Sequence, residues 1–257
     1  MSKNNQTAPV EKRAFGTEIS IVLALSLGAS AVYSILYWLN SVTSRVGLAG
    51  TRHSLNSSSY ANELLDAAYQ LSSNALQLSP AVLVVFLLAG RLSRGSLASI
   101  GWQKPTRTRD IVTGVGIAAA IGIPGLGLYF AGRVLGLAIQ IVPTSIQQHW
   151  WVVPMLLISA MRSAVLEEFI MLGYLFKRLD SMGWSKGRQI WLSASIRGLY
   201  HLYQGYSGFF GNIAMGLAFG WLYKKYGRLQ WLVIAHFVLD AATYVGYAVL
   251  GWTHIQK

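Results

Sequence analysis

The chain of 257 residues is 53% hydrophobic and only 12% charged, and it carries a formal net charge of +12. A soluble globular domain has about 25% charged residues, so this composition favours a protein that lies in a lipid bilayer. The absence of cysteine excludes disulfide bonds, zinc–thiolate sites and a cysteine nucleophile.

Apolar runs of membrane-spanning length predict an all-α fold, a polytopic bundle of seven to eight transmembrane helices. A span needs about 20 apolar residues, and shorter helices can lie inside a bundle. The polar residues 1–14 are expected to form a disordered tail, followed by a single membrane domain over 15–252. In chain order the apolar runs lie near 19–39, 72–90, 111–131, 150–176, 190–206, 208–223 and 229–250.

The segment 132–143 fits a re-entrant piece, a short eighth helix or the outer part of a helical hairpin. Pro80 and Pro124 lie inside apolar runs and are expected to mark kinks or breaks, which helix bundles tolerate.

The positions of the lysine and arginine residues separate two explanations of the positive charge. Nucleic-acid binding is one, and a membrane protein with basic cytoplasmic loops is the other. The cations concentrate in every second loop, which is the pattern of a membrane protein whose basic loops lie in the cytoplasm. The basic N-terminus is therefore predicted to be cytoplasmic, and a nucleic-acid partner is not expected. The basic segments are the N-terminus, 91–110, 177–188 and 224–228.

Ionisable side chains inside the predicted spans are functional candidates, because burying a charge in lipid is costly. The candidates are Arg162, Glu167, Glu168, Arg197, His201, His236 and Asp240, with Asn212 as an uncharged polar group. Three of the predicted helices place ionisable groups about 12–18 Å from their cytoplasmic ends, at about 1.5 Å per residue, namely Glu167, His201, His236 and Asp240. Since the hydrocarbon core is about 30 Å thick, these four groups share a level near its midplane, which predicts one shared site.

The spacing of these residues indicates which of them share a helix face. His236 and Asp240 are four residues apart and lie on one face, and Arg197 and His201 have the same relation. The adjacent glutamates point about 100° apart. One of them is therefore expected to face a cavity, and the other a neighbouring helix that holds a partner for it.

These residues resemble the motifs of the CPBP family of intramembrane proteases, which includes CAAX prenyl proteases and bacteriocin-processing, Abi-like proteins. The family pattern is EExxxR, then FxxxH, then HxxxN or HxxxD. Here the first element is Glu167–Glu168, the second ends at His201, and the third is His236 with Asp240. The resemblance places the family core at about 150–250.

Two positions depart from the family pattern. Leu172 stands where the family has arginine, and Arg197 stands where it has phenylalanine. We therefore predict that the cation has moved to the next helix and that Arg197 pairs with Glu168, since a guanidinium can hold a carboxylate with two hydrogen bonds.

The resemblance implies an intramembrane endopeptidase, a multi-pass protein of the plasma membrane that cleaves a peptide or membrane-protein substrate. It implies a catalytic set in which Glu167 activates water, Glu168 completes the glutamate pair, His201 orients the water and His236 stabilises the oxyanion. Asp240 either orients His236, binds metal or is protonated, because an ionised carboxylate cannot donate to an oxyanion.

A zinc site of His201, His236 and Glu167 is the alternative to metal-free glutamate catalysis, and the metal-free mechanism is slightly favoured. Three further residues are expected to support the site. Arg197 pairs with a glutamate, Arg162 pairs with a glutamate or points outward, and Asn212 bridges helices or lines the cavity.

Two other functions stay open at this point. Buried ionisable groups also build the proton relays of transporters, although no inverted repeat is visible in the sequence. The departures at Leu172 and Arg197 keep a catalytically silent membrane scaffold open as well. The sequence leaves open whether the substrate is prenylated and whether the protein forms oligomers.

Overall fold

A computed structural model describes residues 7–89, 94–103, 107–146 and 149–250. This part of the chain is mostly helical, which confirms the predicted helical fold. The helices are α1 Thr7–Ala24, α2 Leu27–Thr43, α3 Gly47–Gly50, α4 Glu63–Leu76, α5 Ser79–Ala89, α6 Arg94–Ser99, α7 Thr108–Val134, α8 Val152–Glu168, α9 Leu175–Ser181, α10 Lys186–Tyr200, α11 Tyr206–Tyr226 and α12 Leu229–Leu250.

Several of these helices are long and apolar enough to cross a membrane. In the described ranges there are three, namely Glu63–Ala89, Thr108–Val134 and Leu229–Gly246. The pair Arg13–Ala24 and Leu27–Thr43, bent by 53°, makes a fourth if it is counted as one span. The predicted number of seven to eight spans and the cytoplasmic N-terminus stay predictions.

The structure corrects one of the expected segments, 132–143. Helix α7 ends at Val134, and Gly136 adopts a left-handed φ of 71°, a common way to end a helix. The chain then forms strand β2, Gln140–Val142, which pairs in parallel with β1, Arg52–Ser54. An eighth helix in this segment is therefore wrong.

The structure also bears on the predicted N-terminal tail and on the breaks expected at two prolines. Helix α1 begins at Thr7, inside the stretch 1–14 that was expected to be a tail, and residues 1–6 lie outside the described part. The division into a tail and one membrane domain otherwise stays a prediction. The helix breaks between α4 and α5 directly before Pro80, as expected, whereas Pro124 lies inside an uninterrupted α7.

A continuous helical segment, Val152–Ser181, lies at the centre of the bundle. It consists of α8, a π-helix over Phe169–Tyr174 and α9, and every residue of the π-helix is buried. Helix α12 packs along α8, while α10 packs against α11 and α2. The wider turn of the π-helix begins directly after the glutamate pair, and π-helical turns are frequent at functional sites.

Helix α11 approaches α10 closely because small residues line the contact. A Cβ atom added to Gly216 would lie 2.8 Å from the Cα atom of Ala194, which is too close for an unshifted backbone. The same Cβ would lie 3.4 Å from the Cδ atom of Arg197. The missing side chain at Gly216 therefore allows the backbones of α10 and α11 to approach closely beside Arg197.

Replacing this glycine tests the importance of the close approach. We expect Gly216→Ala to lower the thermal unfolding temperature in detergent, because overpacking of a core typically costs about 1–3 kcal/mol. Gly211→Ala is the matched control on the same helix, since its Cβ meets only the end of the Leu128 side chain at 3.4 Å. Equal unfolding temperatures for the two variants would contradict this packing.

Candidate active site

Three helices bring ionisable side chains together in the bundle interior. The end of α8 supplies Glu167 and Glu168, α10 supplies Arg197, and α12 supplies His236 and Asp240. Ion-pair contacts of 2.7–3.9 Å join them into one cluster. The predicted convergence of separate helices on one buried site is confirmed for these five residues.

Glu168 is the most enclosed member of the cluster, with a side chain that is 0% exposed. Its Oε1 atom accepts a hydrogen bond from Nη2 of Arg197 at 2.7 Å, which confirms the predicted pairing. Nδ1 of His236 contacts the same oxygen at 2.7 Å. Because an ionised carboxylate can only accept hydrogen bonds, Nδ1 donates to Glu168 and Nε2 is directed away from it.

Arg197 is held between carboxylates and an aromatic ring. Its side chain is 1% exposed, and its guanidinium lies 5.6 Å from the ring centroid of Phe219, within the range of a cation–π contact. Nη1 also donates to Oε2 of Glu167 at 3.4 Å. Leu172, at the arginine position of the family pattern, is buried in the π-helix. The cation that balances the glutamates thus comes from α10.

Glu167 is in a more open environment than its neighbour. Its side chain is 11% exposed, and its Oε2 atom accepts a hydrogen bond of 2.7 Å from the hydroxyl of Tyr200. Sequence reasoning missed Tyr200. Its position three residues after Arg197, on the same side of α10, was the available signal.

Nε2 of His236 faces two carboxylates across short gaps. It lies 3.9 Å from Oε2 of Glu167 and 3.6 Å from Oδ2 of Asp240. Both separations are longer than a direct hydrogen bond and are of a length that a water molecule can bridge. The side chain of Asp240 is 24% exposed, so this side of the cluster is the accessible one.

His201 lies beside the cluster without a hydrogen bond to it. It follows the last residue of α10, where a short 3-10 turn and Gly205, with a left-handed φ of 87°, lead into α11. Its ring packs edge-on against Tyr200 at 4.7 Å and Tyr203 at 6.0 Å. Its Nδ1 atom is buried and has no hydrogen-bond partner in the described part of the chain.

The predicted zinc ligands do not form a metal site here. Across the described ranges, no group of three or more histidine, aspartate and glutamate side chains is arranged to hold a metal ion. Nδ1 of His236 is engaged with Glu168, and His201 is not hydrogen-bonded to either glutamate. The side chains of Glu167, His201 and His236 therefore do not fit the zinc set.

The two remaining supporting residues, Arg162 and Asn212, bind groups outside the ionisable cluster. Arg162 binds neither glutamate; its Nε donates to Oδ1 of Asn74 at 3.1 Å and its Nη1 to Oε1 of Gln77 at 2.6 Å. Asn212 donates to the Gly208 carbonyl at 2.9 Å and lies 3.5 Å from Oε1 of Gln204. These bonds stay within α11 and the 3-10 turn before it, and the supporting role of Asn212 stays a prediction.

One comparison with known proteins found a match, which covers the segment that carries the cluster. Residues 149–242 match the model of a family described as Type II CAAX prenyl endopeptidase Rce1-like. The matched segment contains the glutamate pair, His201, and the histidine and aspartate of α12, so the predicted family resemblance is confirmed there. Searches of curated proteins and of solved structures found no match.

Removing the buried cation should expose its role in stability. We expect Arg197→Leu to lower the free energy of unfolding by about 3–5 kcal/mol, because Glu168 is left as a buried charge without its main partner. The double variant Arg197→Leu, Glu168→Leu removes both charges and should recover most of the loss. Thermal unfolding in detergent measures both, and a single variant as stable as the wild type would contradict the interpretation.

Proposed function

We propose that the chain is an intramembrane endopeptidase that hydrolyses a peptide bond with a water molecule activated by Glu167. The family match over residues 149–242 supports a protease, and the apolar helices support a membrane protein. We further propose a multi-pass protein of the plasma membrane whose substrate is a peptide or a membrane protein. No described observation favours a transporter or a silent scaffold.

The difference between the two glutamates carries the proposal. Glu168 is fully buried, and one of its oxygens is hydrogen-bonded by both Arg197 and His236. Glu167 is partly exposed and faces Nε2 of His236 across a 3.9 Å gap. A general base must reach water and a substrate, and of the two glutamates Glu167 is the one whose side chain is partly exposed.

In the proposed reaction, a carboxylate oxygen of Glu167 takes a proton from water while the water oxygen bonds to the substrate carbonyl carbon. The tetrahedral intermediate then collapses, the carbon–nitrogen bond breaks, and the proton passes from Glu167 to the leaving amine. Tyr200 donates to Oε2 of Glu167 and holds the base in place.

The two histidines are proposed to act on the water and the oxyanion. Glu168 fixes His236 through Nδ1, so Nε2 faces the reacting atoms and stabilises the oxyanion when it carries a proton. His201 has a buried and unpartnered Nδ1, a group available to orient the water or the substrate. Asp240, near Nε2, is proposed to hold the ring of His236 in this orientation.

A cleavage assay tests the proposed base. We expect Glu167→Gln to lower hydrolysis of a peptide library by about 10²–10⁴-fold, the contribution typical of a general base, and His201→Ala to lower it as well. Glu63→Gln is the matched control, because Glu63 lies at the start of α4 and its side chain is 41% exposed. Equal hydrolysis by wild type and Glu167→Gln would contradict the proposal.

A chelator in the same assay separates glutamate from metal chemistry. We expect hydrolysis by the wild type to be unchanged after treatment with EDTA, because the cluster activates water through a carboxylate. Loss of hydrolysis that added zinc restores would show a metal mechanism instead.

Removing one hydroxyl group tests how the base is held. Tyr200→Phe should lower kcat by about tenfold, the value of one hydrogen bond to a charged group, because Glu167 loses its 2.7 Å donor. The measurement is steady-state hydrolysis, with thermal unfolding to show that the variant is folded. An unchanged kcat would show that the tyrosine does not act on the base.

A further inference from the structure

The partners of Arg162 are neutral side chains, unlike those of Arg197 and Arg178. Arg197 is paired with Glu167 and Glu168, and Arg178 with Glu18. In the described part of the chain no carboxylate oxygen lies within 4.0 Å of the Arg162 guanidinium, which binds the side-chain amides of α4. Its positive charge is therefore held in place but not neutralised.

The two amides are oriented so that their oxygens face the guanidinium. The amide nitrogen of Asn74 donates to the Gln70 carbonyl at 2.8 Å, and that of Gln77 donates to the Ser73 hydroxyl at 2.7 Å. With the nitrogens engaged, the oxygens are directed to Arg162. A guanidinium has five N–H donors, so about three remain for another ligand.

A groove adjoins the contact between α8 and α4 that holds Arg162. Leu166, four residues after Arg162 on the same helix face, lines this groove, as does Gln77, which binds Arg162. The groove has a volume of about 570 Å³, and its hydroxyl groups come from Ser26, Ser30, Tyr69, Ser72, Ser73 and Ser79.

The position of Arg162 on α8 indicates which anion it would meet. Arg162 lies on the same helix as the proposed base, five residues before Glu167, a rise of about 7.5 Å. A carboxylate that binds Arg162 would therefore lie near the groups that are proposed to act on a substrate.

We propose that Arg162 binds a carboxylate of the peptide substrate, either at its C-terminus or on an acidic side chain, while the chain lies in the hydroxyl-lined groove. This inference rests on the proposed function and adds the chemical class of substrate. Arg162 is then a specificity-determining residue, since a charge-assisted pair favours substrates that carry the carboxylate near the scissile bond.

Peptide retention by the full-length Glu167→Gln protein tests this without requiring catalysis. Three pooled libraries of acetylated pentapeptides are used as probes: apolar free acids, the same peptides as C-terminal amides, and amides with one aspartate or glutamate. We expect at least one carboxylate-bearing library to be retained about tenfold or more over the apolar amides, measured by mass spectrometry. The library that is retained identifies the source of the carboxylate.

Two variants in the same Glu167→Gln background separate charge from structure. Arg162→Gln should remove the preference, so that the carboxylate-bearing libraries and the apolar amides are retained about equally. Gln77→Glu keeps Arg162 and its hydrogen bond but neutralises the charge, and should reduce the preference in the same way. Equal retention of all three libraries, or no retention of any, would overturn the inference.

The remaining outcomes distinguish this inference from the protease assignment. If the wild type hydrolyses free acids and amides equally and retains them equally, the proposed protease function is supported and the proposed role of Arg162 is wrong. If peptides with a carboxylate are retained but the wild type hydrolyses none of them, the proposed binding site is supported and the proposed protease function is wrong. Phosphatidylglycerol that is retained through Arg162, with no peptide retained, would overturn the inference in favour of a lipid.

Discussion

The hydrogen bond between Arg197 and Glu168, 2.7 Å long and out of contact with solvent, is the interaction on which the site depends. A carboxylate in an apolar interior is stable only when a cation and hydrogen bonds replace its hydration. Arg197 supplies the charge from α10, and His236 adds a second contact from α12. One oxygen atom of Glu168 thus ties together the three helices that carry the site.

This arrangement gives two adjacent glutamates different environments. Glu168 is enclosed by helices, whereas Glu167, one residue earlier, turns toward Tyr200 and the accessible side of His236. The missing side chain at Gly216 lets α11 approach α10 beside the arginine, and the π-helix begins immediately after the glutamate pair. The proposed mechanism uses the difference: one carboxylate positions a histidine, and the other can take up a proton.

The residue types and their periodicity were enough to predict much of this site. The common depth of the ionisable groups predicted their convergence. The replacement of the family's arginine by Leu172 and of its phenylalanine by Arg197 predicted the Arg197–Glu168 pair. What could not be predicted were contacts set by tertiary packing. The hydrogen bond between Tyr200 and Glu167 joins residues 33 positions apart, and the contact between Glu168 and His236 joins residues 68 positions apart. The bonds from Arg162 to the amides of α4 span 85 and 88 positions. The strand at Gln140–Val142 also depends on a partner far away in the chain.

Isosteric removal of each charge in the glutamate pair is the most direct test of the different roles of the two residues. The measurement is the thermal unfolding temperature of Glu168→Gln and of Glu167→Gln in the same detergent. A large decrease is predicted for Glu168→Gln, because the fully buried Glu168 binds Arg197 at 2.7 Å. Glu167→Gln is predicted to lie close to the wild type, because Glu167 is partly exposed and lies 3.4 Å from the arginine. Equal decreases, or a larger decrease for Glu167→Gln, would contradict the account.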